Sequence, residues 1–400
     1  MRVRLGLALL AAFIPFTGAS AARVHVVHAF AAGDGNNPQG ALVPGPGGVL
    51  YGTATVGGGV LGHCGNRHAG CGTVFSLARD GTLSVLHAFG AKGDGFTPVA
   101  LVRDGAGNLY GVTAQGGVSK KDCTFDHGCG TLFKIAPDGT EAILHSFQGG
   151  TDGALPNAVT IDASGNLYGV TGSGGFDAHD PGYGTVFEMT ADGAYSILYA
   201  FQGDMTDGQH PLGNLARDSA GNLYGTVDDP NTHHGMVFKL TPGGAESTLY
   251  AFGASPDGAG PRAGVVIDGA GNLYGTTIDG GAFGKGTVFK IDAAGNESVL
   301  YSFSGGLSDG MPISGVILDQ AGNLYGTTPE GGTGDCGDTG CGVIYRIAPD
   351  GTEATLVSLM ARNGGNPIGS LYRDGHGVLF GNAAAYGANG AGTVFRFRGP

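Results

Sequence analysis

The chain has 400 residues, of which 82 are Gly and 18 are Pro, and its 33 Asp and Glu against 20 Lys and Arg give a net charge of −13. So acidic a surface argues against nucleic-acid phosphate as a partner. After the first twenty residues no stretch of ten combines a 3.6-residue apolar period with freedom from Gly and Pro, which excludes a helical fold.

Residues 1–21 read as a secretion signal. Arg2 and Arg4 precede an apolar run from Leu5 to Phe16, and Ala19-Ser20-Ala21 offers a small-residue cleavage site. The run is too short for a membrane span, so an exported chain, periplasmic or secreted and without a span, is expected. Residues 22–400 read as one domain. They open on Val24 to Phe30, a strand-like run whose meaning depends on the repeat that follows it.

A segment built around Leu-Tyr-Gly recurs seven times. Its aromatic falls at Tyr51, Tyr110, Tyr168, Tyr224, Tyr274, Tyr325 and, as Phe, at Phe380, always 50 to 59 residues apart. That period is typical of propeller blades. Each unit holds four short strand-like runs; in the fifth they are Arg262 to Ile267, Asn272 to Thr277, Thr287 to Ile291 and Glu297 to Phe303. Tight Gly-containing turns such as Asp268-Gly269-Ala270-Gly271 join neighbouring runs. The reading is an all-β seven-bladed propeller of four-stranded antiparallel blades. Val24 to Phe30 matches a fourth strand without its first three, and the closing Gly392 to Phe397 matches a third strand without its fourth. The N-terminal strand is therefore expected to complete the last blade and close the ring, which leaves no open sheet edge.

All six cysteines pair up inside equivalent loops, as Cys64 with Cys71, Cys123 with Cys129 and Cys336 with Cys341. Local disulfides suit an oxidising compartment. A zinc set of His63, Cys64, His68 and Cys71 is the alternative, but the third pair has the same place and no His. Asp34, Asp94, Asp152, Asp207, Asp257 and Asp309 each precede Gly in the connector to the next blade. They are expected near the channel mouth, as Asx-type turns or, alternatively, as a carboxylate ring for Ca²⁺. No cofactor is expected. His28, His87 and His145 fill the slot of Tyr199, Tyr250 and Tyr301 and read as packing substitutes.

Marked asymmetry lies in the loops between second and third strands, which hold 19, 18, 14, 9, 10, 15 and 10 residues in blade order. Long loops on one rim of a rigid scaffold are a common home for function. The candidate binding residues on that face are His63, His68, His127, His179, His233 and His234, with Asp177, Asp228, Phe125, Phe176 and Tyr183. His210 joins them from an Asp-Gly-x-His-Pro connector. No Gly-x-Ser-x-Gly elbow, His-Glu-x-x-His pair, Walker loop or EF-hand loop is present.

The composite of Gly271 to Thr277, Gly286-Thr287-Val288-Phe289-Lys290-Ile291 and Leu300-Tyr301-Ser302-Phe303 closely resembles the GloVer tandem repeat of exported bacterial proteins, the "choice-of-anchor" repeat proteins. The likeness runs through essentially the whole chain after the signal. It implies a propeller-like fold and export, and brings no established activity or catalytic residues. The expected function is a monomeric, non-enzymatic binding module whose loop-rich face takes an extracellular protein or polysaccharide. The alternative is a secreted hydrolase or lyase acting on an extracellular polymer, with loop His and Asp residues as acid and base.

Overall fold

The structure, a computed structural model, describes residues 23–59, 64, 70–118, 123, 128–175, 182–203, 207–229, 234–253 and 255–399. The expected signal, residues 1–21, lies outside them. Seven antiparallel sheets of four or five strands form seven blades, and a two-stranded ladder is added in blade 5. Blade 2 shows the pattern most fully, with strands Gly95–Arg103, Leu109–Gly116, Thr131–Ile135 and Glu141–Ser146. Its two edge strands are the first and the fourth. First strands of neighbouring blades touch one another, which places them around the axis and the fourth strands at the perimeter.

The ring closes as expected. Val24–Ala29 pairs antiparallel with Thr393–Arg398, giving the sheet Val24–Ala29, Thr393–Arg398, Val378–Ala383, Tyr372–Arg373. Blade 7 is thus made from both ends of the ring. The first strand of blade 5 departs from expectation, since only Gly258–Ala259 and Val266–Ile267 are paired. Between them Pro261 has no N–H to donate to a ladder, and the blade is held there by a side chain instead. Thr226 Oγ1 donates to Ala263 O at 3.0 Å. Thr276 to Ser314 O, Thr327 to Pro367 O and Asn382 Nδ2 to Gly40 O repeat this tie around the axis.

Packing between blades rests on one ring contact, repeated. The Phe that follows six of the seven fourth strands inserts edge-on against the third-strand aromatic of the next blade. The pairs Phe30–Phe75, Phe89–Phe133, Phe147–Phe187, Phe201–Phe238, Phe252–Phe289 and Phe303–Tyr345 have centroids 5.0 to 5.3 Å apart. Edge-to-face geometry sets the positive ring edge against the negative face. At the junction of blades 6 and 7, Leu359 replaces the ring, in one buried cluster with Phe395.

Every fourth strand carries a bulge. In blade 2 the register slips between Ile143 and His145, so Leu144 is the extra residue. The same slip recurs in the other six blades. An inserted residue re-aims the side chain that follows it, here a His or Tyr in six blades and Val357 in blade 6.

Candidate functional site

The connector aspartates come first, because they decide what remains for function. Asp94 accepts from the N–H groups of Gly90 and Gly95 and from His87 Nε2 at 3.2 Å. His28 meets Asp34 and His145 meets Asp152 in the same way. Where the strand carries Tyr, its hydroxyl donates instead: Tyr199 to Asp207 at 2.8 Å, Tyr250 to Asp257 at 2.9 Å and Tyr301 to Asp309 at 2.8 Å. The three histidines therefore do more than pack; each links a perimeter strand to its connector. The carboxylates turn to the blade junctions, with the Asx-like backbone bonds the sequence suggests.

A Glu from the next blade's fourth strand completes several junctions. His87, Asp94 and Glu141 have ligand atoms within 4.8 Å of one another. Asp94 already accepts from three donors there. Burial, reinforced by Asp207, pushes the Glu246 carboxyl up to about 7, and burial with Asp257 does the same to Glu297. Glu141 and Glu353 rise for like reasons, burial first and then Asp94 and Asp309 respectively, with opposing contributions from His87 at Glu141 and from a Thr355 hydrogen bond at Glu353. Low solvation, and then the neighbouring carboxylates, disfavour the charged form of these groups.

At the mouth of the channel the residue before the connector Pro adopts a left-handed conformation, at Asn37, Thr97, Leu155, His210 and Asn366 with φ of 53 to 60°. The pose is costly for a residue with a Cβ, and each chain recovers it with the same bond. The N–H of Thr97 donates to Cys71 O, Leu155 to Cys129 O, His210 to Tyr183 O and Gly260 to His234 O, across the blade junction. The Gly that begins the third strand gives room for this clasp. Gly130 has φ +99°, and a Cβ there would lie 2.6 Å from Pro156 Cδ.

His210 also donates through Nδ1 to Gly172 O at 2.6 Å, which leaves Nε2 as an acceptor. One blade further on, Arg262 Nε donates to Asp228 Oδ2 at 3.0 Å; the Asp228 side chain is 9% exposed and that of Arg262 is 48% exposed. Gln209 Nε2 adds a bond to Asp229 Oδ1. Asn157 Nδ2 donates to Pro211 O. Blades 3 to 5 therefore give the mouth a polar arc, where Ile313 and Ile368 follow the connector Pro in blades 6 and 7. Arg262 carried no signal in the repeat beyond being the one cation after a connector Pro.

The loops rise from the same side. In five blades their bases are closed by one bond irrespective of length, from the third-strand Gly to the first Gly of the doublet: Gly72 to Gly57 O, Gly130 to Gly116 O, Gly184 to Gly174 O, Gly286 to Gly280 O and Gly342 to Gly331 O. Buried Thr pairs such as Thr113–Thr131, 2.8 Å apart, sit just beneath. Disulfides join Cys64 to Cys71, Cys123 to Cys129 and Cys336 to Cys341, with Cα–Cα distances of 5.0 to 5.6 Å. The thiolate set for zinc is thereby spent.

Of the expected binding residues, His210, Asp228, Tyr183 and His234 fall in the described region, all along the clasp and the mouth. Tyr183 packs against the core between blades 3 and 4. His63, His68, Phe125, His127, Phe176, Asp177, His179 and His233 lie outside the described residues.

The model of the Gloeobacter/Verrucomicrobia repeat matches residues 60–266 and 230–399. No curated protein matches the sequence. Among solved structures, the extracellular domain assigned to a hybrid two-component system of B. thetaiotaomicron is 13% identical with a TM-score of 0.57, over 94% of this chain and 41% of that one. The extracellular domain assigned to a one-component system of the same organism is 9% identical with a TM-score of 0.57, over 94% and 40%. A gluconolactonase of Xanthomonas campestris is 13% identical with a TM-score of 0.46, over 95% and 91%. At such identities the likeness is one of fold alone. Among the described residues no helix is long and apolar enough to cross a membrane, and the three disulfides fit an oxidising compartment.

Proposed function

Since the chain belongs to the Gloeobacter/Verrucomicrobia repeat family, we propose that it is an exported, non-enzymatic binding module that presents the loop-rich face of its ring to an extracellular protein or polysaccharide. The observation that carries this is a division of labour. The repeated connector Asp and its His or Tyr are spent on holding blades together, whereas variation gathers in loops set on fixed, partly stapled bases. A rigid ring with variable loops on one side is a recognition scaffold. Depletion of the protein from solution by a panel of insoluble polysaccharides, with mass spectrometry of the supernatant, tests it. Depletion without new products supports a polysaccharide-binding module; no depletion directs the search to protein partners.

The second reading is a hydrolase or lyase, and the mouth favours it through His210, whose Nε2 is free to accept a proton, and the nearby Asp228–Arg262 pair. It predicts new oligosaccharides in the same supernatant, lost in His210→Gln. Oligosaccharide release that survives His210→Gln and also His127→Ala and His179→Ala would remove these histidines from the chemistry.

A further inference from the structure

The side of the ring opposite the loops carries its own asymmetry, at the seam where blade 7 meets blade 1. In blades 2 to 6 the turn between first and second strands is a closed polar knot. Asp268 there accepts from Ala270 N, Asn272 N, Asn272 Nδ2 and Tyr274 Oη. A cation lies over the Tyr ring in each of these blades, as Lys290 does 5.8 Å above Tyr274. Both seam blades lose the knot. Blade 7 keeps Asp374 but has Val378 and Phe380 for the Asn and Tyr; blade 1 keeps Tyr51 but has Gly45 and Val49 for the Asp and Asn.

What replaces it is a cleft of about 780 Å³, within the ~300–1,000 Å³ usual for small-molecule sites. One cross-strand row of blade 7 faces into it. Tyr372 pairs with Phe380, Phe380 with Arg396 and Arg396 with His25, so the four side chains stand on one face in register. The two rings are stacked, with centroids 6.0 Å apart and planes 30° from parallel. The same row in blade 5 reads Val266, Tyr274, Lys290, Ser298. Blade 7 alone has two rings followed by two cationic or titratable residues. From blade 1, Leu50 and Leu77 add apolar wall and Arg79 adds a third guanidinium to those of Arg396 and Arg398.

The charge is reversed relative to the molecule. In a chain of net charge −13, three exposed arginines line this cleft against a single carboxylate, Asp374. None of the three arginines has an ion-pair partner among the described residues. Asp374 spends Oδ1 on the N–H groups of His376 and Val378. Its Oδ2, which in other blades takes the Asn amide and the Tyr hydroxyl, meets no donor among the described residues. Guanidinium groups match carboxylate, sulfate and phosphate through paired N–H donors, and a cationic cleft in an acidic molecule concentrates anions.

From the aromatic row, the cationic rim and the lost knot, we infer that the seam of blades 7 and 1 binds a small organic anion with a flat apolar body. The body lies against Tyr372 and Phe380, the anionic group takes the arginines at the rim, and Asp374 Oδ2 accepts from a hydroxyl on the ligand. This site is separate from the loop face and stands whether or not that face binds polymer.

The test is calorimetric titration of the full chain with 2-naphthalenesulfonate, and with 2-naphthalenemethanol as its neutral counterpart. Saturable one-to-one binding of the sulfonate is expected, with the alcohol weaker by about tenfold or more. Arg396→Gln and Arg398→Gln, both at exposed positions, should each weaken the sulfonate by a similar factor, and Lys290→Gln in blade 5 should not. The double change Val378→Asn, Phe380→Tyr restores the repeat's own residues, satisfies Asp374 and should also weaken binding while leaving the melting temperature unchanged or higher. Equal binding of the two probes, indifference to both Arg substitutions, or absence of saturable binding would each overturn the assignment.

Discussion

Blades 2 to 6 and the two seam blades are built from the same repeat, yet their turns on the lower side have opposite chemistry. In the regular blades a carboxylate is fully used: burial alone would raise the Asp268 carboxyl, but bonds from Asn272, Ala270 and Tyr274 together hold it below the ordinary Asp range. In the seam, blade 7 lacks the side-chain donors and blade 1 lacks the carboxylate, and Asp374 and Gly45 border a cleft. The difference shows that the knot is not needed to hold a blade together. Blade 7 closes the ring without it, through strand pairing and buried aromatics, so the knot is an increment of stability that can be given up where a site is wanted.

The strongest way to break that comparison is to remove the aromatic contact both regions share. Phe201→Ala at a regular junction and Phe30→Ala at the seam each empty a fully buried site, and each should cost about 3–5 kcal/mol in urea unfolding. A markedly smaller loss for Phe30→Ala would mean the seam relies on something other than packing. Next, Asp268→Ala should cost about 2 kcal/mol, since four bonds to a charged group disappear. Asp374→Ala, with two backbone bonds to lose, should cost about half as much; equal losses would dissolve the distinction between knot and seam.

The smallest effect is a pH dependence that only regular junctions should show. Folded Glu246 and Glu297 keep a proton up to about 7, whereas the unfolded groups release theirs near 4.5. Between these values the folded state binds more protons, so stability falls as pH rises from about 5 to 8. The half-exposed positions screen much of this, leaving on the order of 1 kcal/mol for the pair. Glu246→Gln with Glu297→Gln should flatten the melting temperature across that range. Leu83 stands in the Glu place at the seam, and Leu83→Gln should leave the slope unaltered. The knots act with the opposite sign at lower pH: stability from depressed carboxyls such as Asp218 and Asp268 is present above about pH 4 and lost below it.

The ring, its closure and the three disulfides were legible because each leaves a local mark: a turn at fixed spacing, an unmatched strand at either end, a Cys before a repeated Gly. Phe30 and Phe289, both fully buried, recur at fixed places in the repeat in the same way. The link from His87 to Asp94 did not show, because it depends on a bulge that alternation of side chains does not reveal. Of the loop residues singled out by rarity, Tyr183 proved to pack and His210 to occupy a strained clasp, placements that need the neighbouring blade. The seam cleft did leave a trace, in Phe380, Val378 and Gly45. Each is an exception to the repeat, and a pattern read for its agreement hides the places where it fails.

The fixed hydrogen bond beneath five of the upper loops has a further consequence. From the first Gly of the doublet to the Gly of the third strand, the chain leaves and returns through the same two atoms in blade 1 as in blade 5, although the loops differ nearly twofold in length. Doubling such a loop costs roughly 0.6 kcal/mol in closure entropy. The ring thus treats its loops as interchangeable cassettes: their contents can be exchanged, lengthened or randomised while the socket that receives them, and the blade beneath, stays as it was.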